Sequence, residues 1–204
     1  MTRILAFSDM HLSRRCAAEI CAAAAEADLV IGAGDFCTQR RGLDDAMGLL
    51  APVLPKAVLV PGNAESADEL RAAAGAAAAG AVVLHGEATE RAGLAIFGLG
   101  YAVPRTPFGS WSCDLDEEEA AALLGRLEGA DMPDVLIVHS PPEGVADRTS
   151  AGASMGSTAI RAAIERFRPR LVLCGHIHDS WGASGTIGDS RVHNLGPRPN
   201  WFEL

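Results

Sequence analysis

Five short, mostly apolar runs, each cut off by a glycine or a polar residue, most constrain how this 204-residue chain can fold. They cover residues 3–7, 28–31, 56–60, 134–138 and 171–174, and are rich in Leu, Ile and Val. Runs of this length without polar alternation read as strands buried on both faces. Ala- and Glu-rich stretches at 13–27, 43–50, 66–79, 114–128 and 157–167 alternate with them and read as helices, the second stopping at Pro52. Strands alternating with helices predict a layered α/β fold. The length and the lack of any linker or internal repeat fit a single domain, 1–204.

The residues that end these runs carry the chemistry. The first run leads into Asp9 and His11, the second into Gly34-Asp35, and the third into Gly62-Asn63. The fourth ends in His139-Ser140-Pro141-Pro142, and the fifth in Gly175-His176-Ile177-His178. Ligands of open α/β sheets gather beyond the carboxyl ends of the strands. Carboxylate, amide and imidazole donors delivered there suit a pair of divalent cations, with Asp35 as the natural bridge. Oxygen and nitrogen donors without thiolate favour Mn, Fe, Co or Zn at a catalytic site over a structural tetrahedral zinc. Each signal alone has a plainer reading. Asp9, His11 and Asp35 could cap or turn, Asn63 could sit in a turn, and His139 could be a satisfied core histidine.

Charge and cysteine usage exclude other classes. The net charge is −9, with 17 basic and 26 acidic residues, which disfavours bulk nucleic-acid binding. No run of about 18 apolar residues is present, so no membrane span is expected. Five cysteines without a CxxC pair predict reduced thiols and a cytoplasmic protein.

The ordered set Asp9-x-His11, Gly34-Asp35, Gly62-Asn63, His139 and Gly175-His176-x-His178 resembles the calcineurin-like metallophosphoesterases, especially the small phosphodiesterase-type members. The resemblance implies a four-layer α-β-β-α sandwich of two mixed sheets flanked by helices. It implies two divalent metal ions, Mn favoured among Mn, Fe, Zn and Co. One would take Asp9, His11, Asp35 and His178; the other would share Asp35 and take Asn63, His139 and His176. Asn194-Leu195-Gly196-Pro197 resembles the family's closing segment and is expected to support the Gly175-His176-x-His178 loop. The implied activity is hydrolysis of a small phosphoester substrate, a diester before a monoester, by a hydroxide shared between the ions. Asn63 would stabilise charge on the phosphoryl group, and His139 would hold the second ion. Alternatives are a phosphomonoesterase, a non-catalytic interaction scaffold such as the retromer subunit that resembles this family, and a nuclease, which the acidic charge disfavours.

One departure stands out. The family pattern places His after the Asn, as a candidate proton donor, and here the run is Gly62-Asn63-Ala64-Glu65. Small Ala64 is expected to border open space, and Glu65 to cap the helix that follows it. On that basis Ala64→His should raise turnover of alkyl esters more than that of nitrophenyl esters.

The remaining sequence gives weaker expectations. Residues 81–85 and 94–99 read as a hairpin around 86–93, the Gly-broken tail up to Leu195 as a closing antiparallel hairpin, and Asp114 with Glu117 as a capping box. The loops 101–112 and 143–155 should set substrate choice, with Tyr101, Phe108 and Trp111 either walling a pocket or packing over the sheet edge. Arg14, Arg15, Arg40 and Arg41 could face a phosphate or solvent. Cys37 reads as packing, and His85 and His193 as structural.

Overall fold

A computed structural model describes residues 1–128 and 132–204. Strand β1 (Arg3–Phe7) is followed by α1 (Arg14–Ala23), β2 (Leu29–Gly32), α2 (Leu43–Leu50), β3 (Ala57–Leu59), α3 (Ala67–Ala77) and β4 (Val82–Val83). These strands, with the last one, β11 (Asn200–Glu203), form a five-stranded sheet in the order β11-β1-β2-β3-β4. The second sheet is built from β5 (Glu87–Arg91), β6 (Leu94–Leu99), β7 (Val135–Val138), β8 (Leu171–Cys174), β9 (Ser184–Ile187) and β10 (Ser190–Asn194). Its order is β5-β6-β7-β8-β10-β9. Helices α4 (Glu117–Leu124) and α5 (Thr158–Phe167) cover it.

Alternation along each strand creates three packed layers of side chains. Ile4, Ala6, Leu29, Ile31, Val58 and Val60 face Ile96, Val135, Ile137, Leu171 and Leu173 between the sheets. Leu5, Phe7, Val30 and Leu59 point the other way, against Ile20, Met47, Leu50 and Leu70 of α1, α2 and α3. Phe97, Leu136, Val138 and Val172 meet Leu124, Ile160 and Ile164 of α4 and α5. Strands β1, β2, β3, β7 and β8 are buried on both faces, which is why their sequences lack polar alternation. Both sheets are mixed, and the expected four-layer sandwich is what forms.

Three local expectations need correction. Residues 81–85 and 94–99 do not pair. Val82–Val83 joins β3 in the first sheet, and the hairpin partner of β6 is Glu87–Arg91. That segment is polar and half exposed, as an edge strand allows. The capping box before α4 uses Asp116 and Glu119, with reciprocal bonds of 2.8 and 2.9 Å, and not Asp114 and Glu117. Asp114 instead accepts from Thr106 and Ser112, tying the loop before it. Helix α3 is capped by Ser66 and Glu69, so Glu65 is free for another role. The closing hairpin forms as β9 and β10, whereas the pairing of β11 with β1 was not legible.

Candidate metal centre

Beyond the strands, the first two loops stay hydrogen-bonded to one another. Asp9 N donates to Gly34 O at 2.9 Å, and His11 N to Asp35 O at 3.0 Å. The loops after β7 and β8, which carry His139 and His176, join through Gly175 N, which donates to His139 O at 2.9 Å. Tight turns hold the polar side chains inward. Asp9, His11, Asp35 and His176 all have positive φ, between 44° and 66°. Such conformations cost non-glycine residues on the order of 1 kcal/mol or more each and persist where surrounding structure imposes them. A Cβ on Gly62 would collide with the Asp35 carboxylate, and one on Gly175 with Asp9 and Ser8, so those glycines permit the close approach.

All seven sequence-predicted donors meet here. His11 Nε2 lies 3.3 Å from His178 Nε2 and 3.6 Å from Asp35 Oδ2. His178 Nε2 is 3.6 Å from Asp9 Oδ1. On the other side, His139 Nε2 is 3.4 Å from Asp35 Oδ1 and 3.2 Å from Asn63 Oδ1. The His176 ring centroid stands 5.0 Å from that of His139. Asp35 therefore turns one oxygen toward each half of the cluster. Two groupings have spacing fit for a cation: Asp9, His11 and His178, and Asp9, Asp35 and His139.

The imidazoles are oriented by their other nitrogens. His11 Nδ1 lies 2.9 Å from Cys37 O, and His139 Nδ1 lies 2.8 Å from Ala33 O. Donation by Nδ1–H to those carbonyls leaves each Nε2 lone pair facing the cluster, the arrangement that metal-binding histidines use. The donor chemistry thus fits two divalent cations.

Electrostatics point the same way. Burial alone would raise the Asp9 carboxyl, but His178, His139 and Ser8 hold it down at about 2. Burial also opposes a charge on His139, yet the carboxylates of Asp35 and Asp9 outweigh it and raise its pKa. The Asp9 carboxylate, 3.6 Å away, raises His178. Burial, with the neighbouring His139 charge, drives His176 down to about 3. The metal-free cluster therefore holds protons that cations must displace. Addition of Mn²⁺ near neutral pH is expected to release protons, with apparent affinity rising with pH. Calorimetry in buffers of different ionisation enthalpy checks this; uptake independent of buffer would contradict it.

Several supporting residues had no signal in the sequence. Ser8 Oγ donates to Asp9 Oδ2 at 2.5 Å, and Trp181 Nε1 donates to the same oxygen at 3.1 Å. Asn63 Nδ2 donates to Ser112 Oγ at 2.9 Å, and Ser112 donates onward to Asp114 at 2.6 Å. This chain of bonds sets the amide so that Oδ1 faces His139. Ser112→Ala is expected to weaken metal affinity about 10- to 100-fold, the usual cost of losing such a support, read by metal titration of the folded variant.

Glu65 departs furthest from its expected role. It is fully buried, and its Oε1 accepts from Asp35 N and Gly62 N, each at 2.8 Å. Oε2 lies 3.4 Å from both Cys37 N and Cys37 Sγ. The carboxylate pins the Asp35 loop to the Asn63 loop. Ala64 is also buried, at 1 % exposure, with its N–H donating to Asp35 Oδ1 at 2.9 Å. The open space expected beside it is absent, and the gain expected from Ala64→His lapses with it.

Among the loop aromatics, Phe108 and Trp111 line a cavity with His11, Asp35, Asn63, His176 and His178. Tyr101 does not; its ring packs on His85 and its hydroxyl accepts from Ala67 N. Cys37 packs as expected, its thiol donating to Ala64 O. His193 packs on Phe202. Arg15 and Arg40 are engaged by Glu19 and Glu69, and Arg14 and Arg41 point to solvent. Asn194 Nδ2 donates to Gly175 O at 3.1 Å and Ile177 O at 3.2 Å, bracing the loop that carries His176 and His178.

Comparison with known proteins agrees with this architecture. The profile of the family described as calcineurin-like phosphoesterase matches residues 2–180. The chain belongs to that family. A curated relative from Caenorhabditis elegans, UPF0046 protein T07D4.2, is 29% identical over 105 residues. That match covers 51% of this chain and 26% of the relative, so the chain spans about a quarter of that protein. Among solved structures, TT1561 of Thermus thermophilus superposes with a TM-score of 0.74 at 16% identity, covering 98% of both chains. Phosphopantetheinyl hydrolase (PptH) from Mycobacterium tuberculosis gives 0.59 at 18%, covering 95% of this chain and 89% of its own. A dimetal phosphatase from Danio rerio gives 0.60 at 11%, covering 96% and 88%. The profile match shows the family; the structural likenesses, at these identities, show the fold.

Proposed function

We propose that this protein hydrolyses phosphodiesters with two divalent cations, Mn favoured. Asp9, His11, Asp35 and His178 would hold one cation, and Asp35, Asn63, His139 and His176 the other. The observation that carries the reading is the Asp35 carboxylate, whose oxygens face His11 on one side and His139 on the other. Bound cations would supply Lewis-acid charge and lower the pKa of water at the phosphorus. The chain's own part is positional. Hydrogen-bonded loops fix the donors, and the carbonyls of Cys37 and Ala33 hold two imidazoles in the metal-facing tautomer.

A diester is preferred because it brings one negative charge where a monoester dianion brings two. Arg105, the cation lining the described cavity, is already paired with Glu119 at 2.6 Å. We also propose a single domain acting in the cytoplasm. Five unpaired cysteines support a reducing compartment, and no described helix is long and apolar enough to cross a membrane. The partner is a small phosphoester, with no bulk nucleic acid.

The test is turnover of an activated diester beside the matching monoester, after reconstitution with each metal. Faster metal-dependent turnover of the diester supports the proposal. A protein that takes up no transition metal would support the interaction-scaffold alternative. With Ala64 in place of the family histidine, the rate is expected to fall steeply as the leaving group becomes more basic, by tenfold for each 1.4 kcal/mol of unaided barrier. A flat leaving-group series would mean that another group delivers the proton.

A further inference from the structure

The cavity at the candidate centre has a volume of about 440 Å³ and divides into two unlike halves. One is polar and holds His11, Asp35, Asn63, His176 and His178. The other is walled by Val103, Pro104, Pro107, Phe108, Trp111 and Met155. Phe108 and Trp111 lie almost parallel, at 7°, with ring centroids 5.5 Å apart. Phe108 is 51% exposed and Met155 48%, large apolar side chains held at a site mouth with little of the chain over them. The loop bearing the two rings is anchored, not loose. Thr106 N–H and its hydroxyl both donate to Asp114 at 2.9 Å, and Cys113 N donates to Asn63 O at 2.9 Å. Rings and candidate ligand are thus positioned by one network.

Charge narrows the choice. Arg105 is the cation that lines this cavity, and Glu119 and Asp116 hold it at 2.6 and 3.6 Å. Thr106 and Thr149 are the other polar residues of the apolar half. A substrate arm carrying a second phosphate or a carboxylate would meet no free cation among these residues and would lose hydration. A flat, uncharged ring would bury apolar area against Phe108, Trp111 and Met155, and stack on them.

We infer that the ligand of this site carries, beside its phosphoryl group, an uncharged, ring-bearing apolar group bound against Phe108, Trp111 and Met155 while the phosphoryl group sits among the candidate metal ligands. The inference rests on the phosphoesterase reading for catalysis, but its binding half stands apart from turnover. The experiment uses nitrophenyl phosphodiesters that share one leaving group and differ in the other arm: phenyl, methyl, or an arm ending in a carboxylate. With Mn²⁺, kcat/KM is expected to be about tenfold higher for phenyl than for methyl, through KM, and lowest for the carboxylate. Phe108→Ala and Trp111→Ala should each reduce the phenyl-to-methyl ratio toward one, with Trp111→Phe retaining most of it. Equal ratios in the wild type and both alanine variants, or preference for the charged arm, would overturn the inference.

Binding is read separately, as quenching of tryptophan fluorescence by phenylphosphonate and methylphosphonate in the Mn²⁺-loaded protein. If no ester turns over but phenylphosphonate binds about tenfold tighter, and Trp111→Phe removes the quench, the phosphoesterase reading fails and this inference holds. Equal affinity for the two phosphonates overturns it whatever the turnover.

Discussion

Asp35→Asn is expected to lower the proposed metal-dependent hydrolysis by roughly 10³-fold or more. Removing one preorganised electrostatic contact costs about 10²–10³-fold, and Asp35 serves both halves of the cluster. Its oxygens approach His11 at 3.6 Å and His139 at 3.4 Å, so neutralising it removes charge from both proposed cation positions. The fold should survive. Asn is isosteric, and Asp35 shares its buried surroundings with the Glu65 carboxylate, whose pKa its charge helps to raise. The metal-free variant is therefore expected to melt within a few degrees of the wild type. Metal content, kcat/KM and Tm on the same preparation check this. A variant that binds two cations with normal affinity would show that Asp35 is not the bridge.

Glu65→Ala is expected to have the largest effect on stability. It strands the N–H groups of Asp35 and Gly62, each now bonded at 2.8 Å inside the protein. A buried donor left unsatisfied costs about 1–3 kcal/mol, so a loss of roughly 3 kcal/mol or more is expected in urea denaturation of the metal-free protein. Burial and the neighbouring Asp35 charge push Glu65 up to about 7, against the pull of the Gly62 and Cys37 amides. A carboxyl whose pKa is raised on folding contributes stability below its unfolded value, lost as pH rises through the folded one. The wild type should therefore lose stability relative to Glu65→Gln between about pH 4.5 and 7. Parallel stability profiles for the two proteins would mean that Glu65 is ionised throughout.

Much of this was legible in the chain itself, and for a local reason. Strands buried on both faces must be apolar throughout, so residues 3–7, 134–138 and 171–174 announce themselves. A polar residue at the end of such a run has few places to go except the sheet edge, which is why Asp9, Asp35, Asn63, His139, His176 and His178 could be picked out. Their order along the chain identified the family. The three layers of the core follow from period-two alternation, which is also local.

What only the tertiary structure decided involves residues whose partners are distant in sequence. Glu65 looked like a helix cap because carboxylates favour a helix's first turn; its true partners include the backbone amide of Asp35, 30 residues away, brought close by the parallel pairing of β2 and β3. Ala64 looked like open space because a small side chain says nothing about what packs around it. Val82–Val83 and Glu87–Arg91 were misassigned because two apolar residues do not specify a sheet, and an exposed edge strand need not be apolar at all. The orientation of each imidazole depends on backbone carbonyls at Cys37 and Ala33, which every residue possesses and no sequence distinguishes. Sequence pattern thus determined which side chains reach the site. The packing of two sheets determined which way they point, because orientation is set by backbone groups common to all residues.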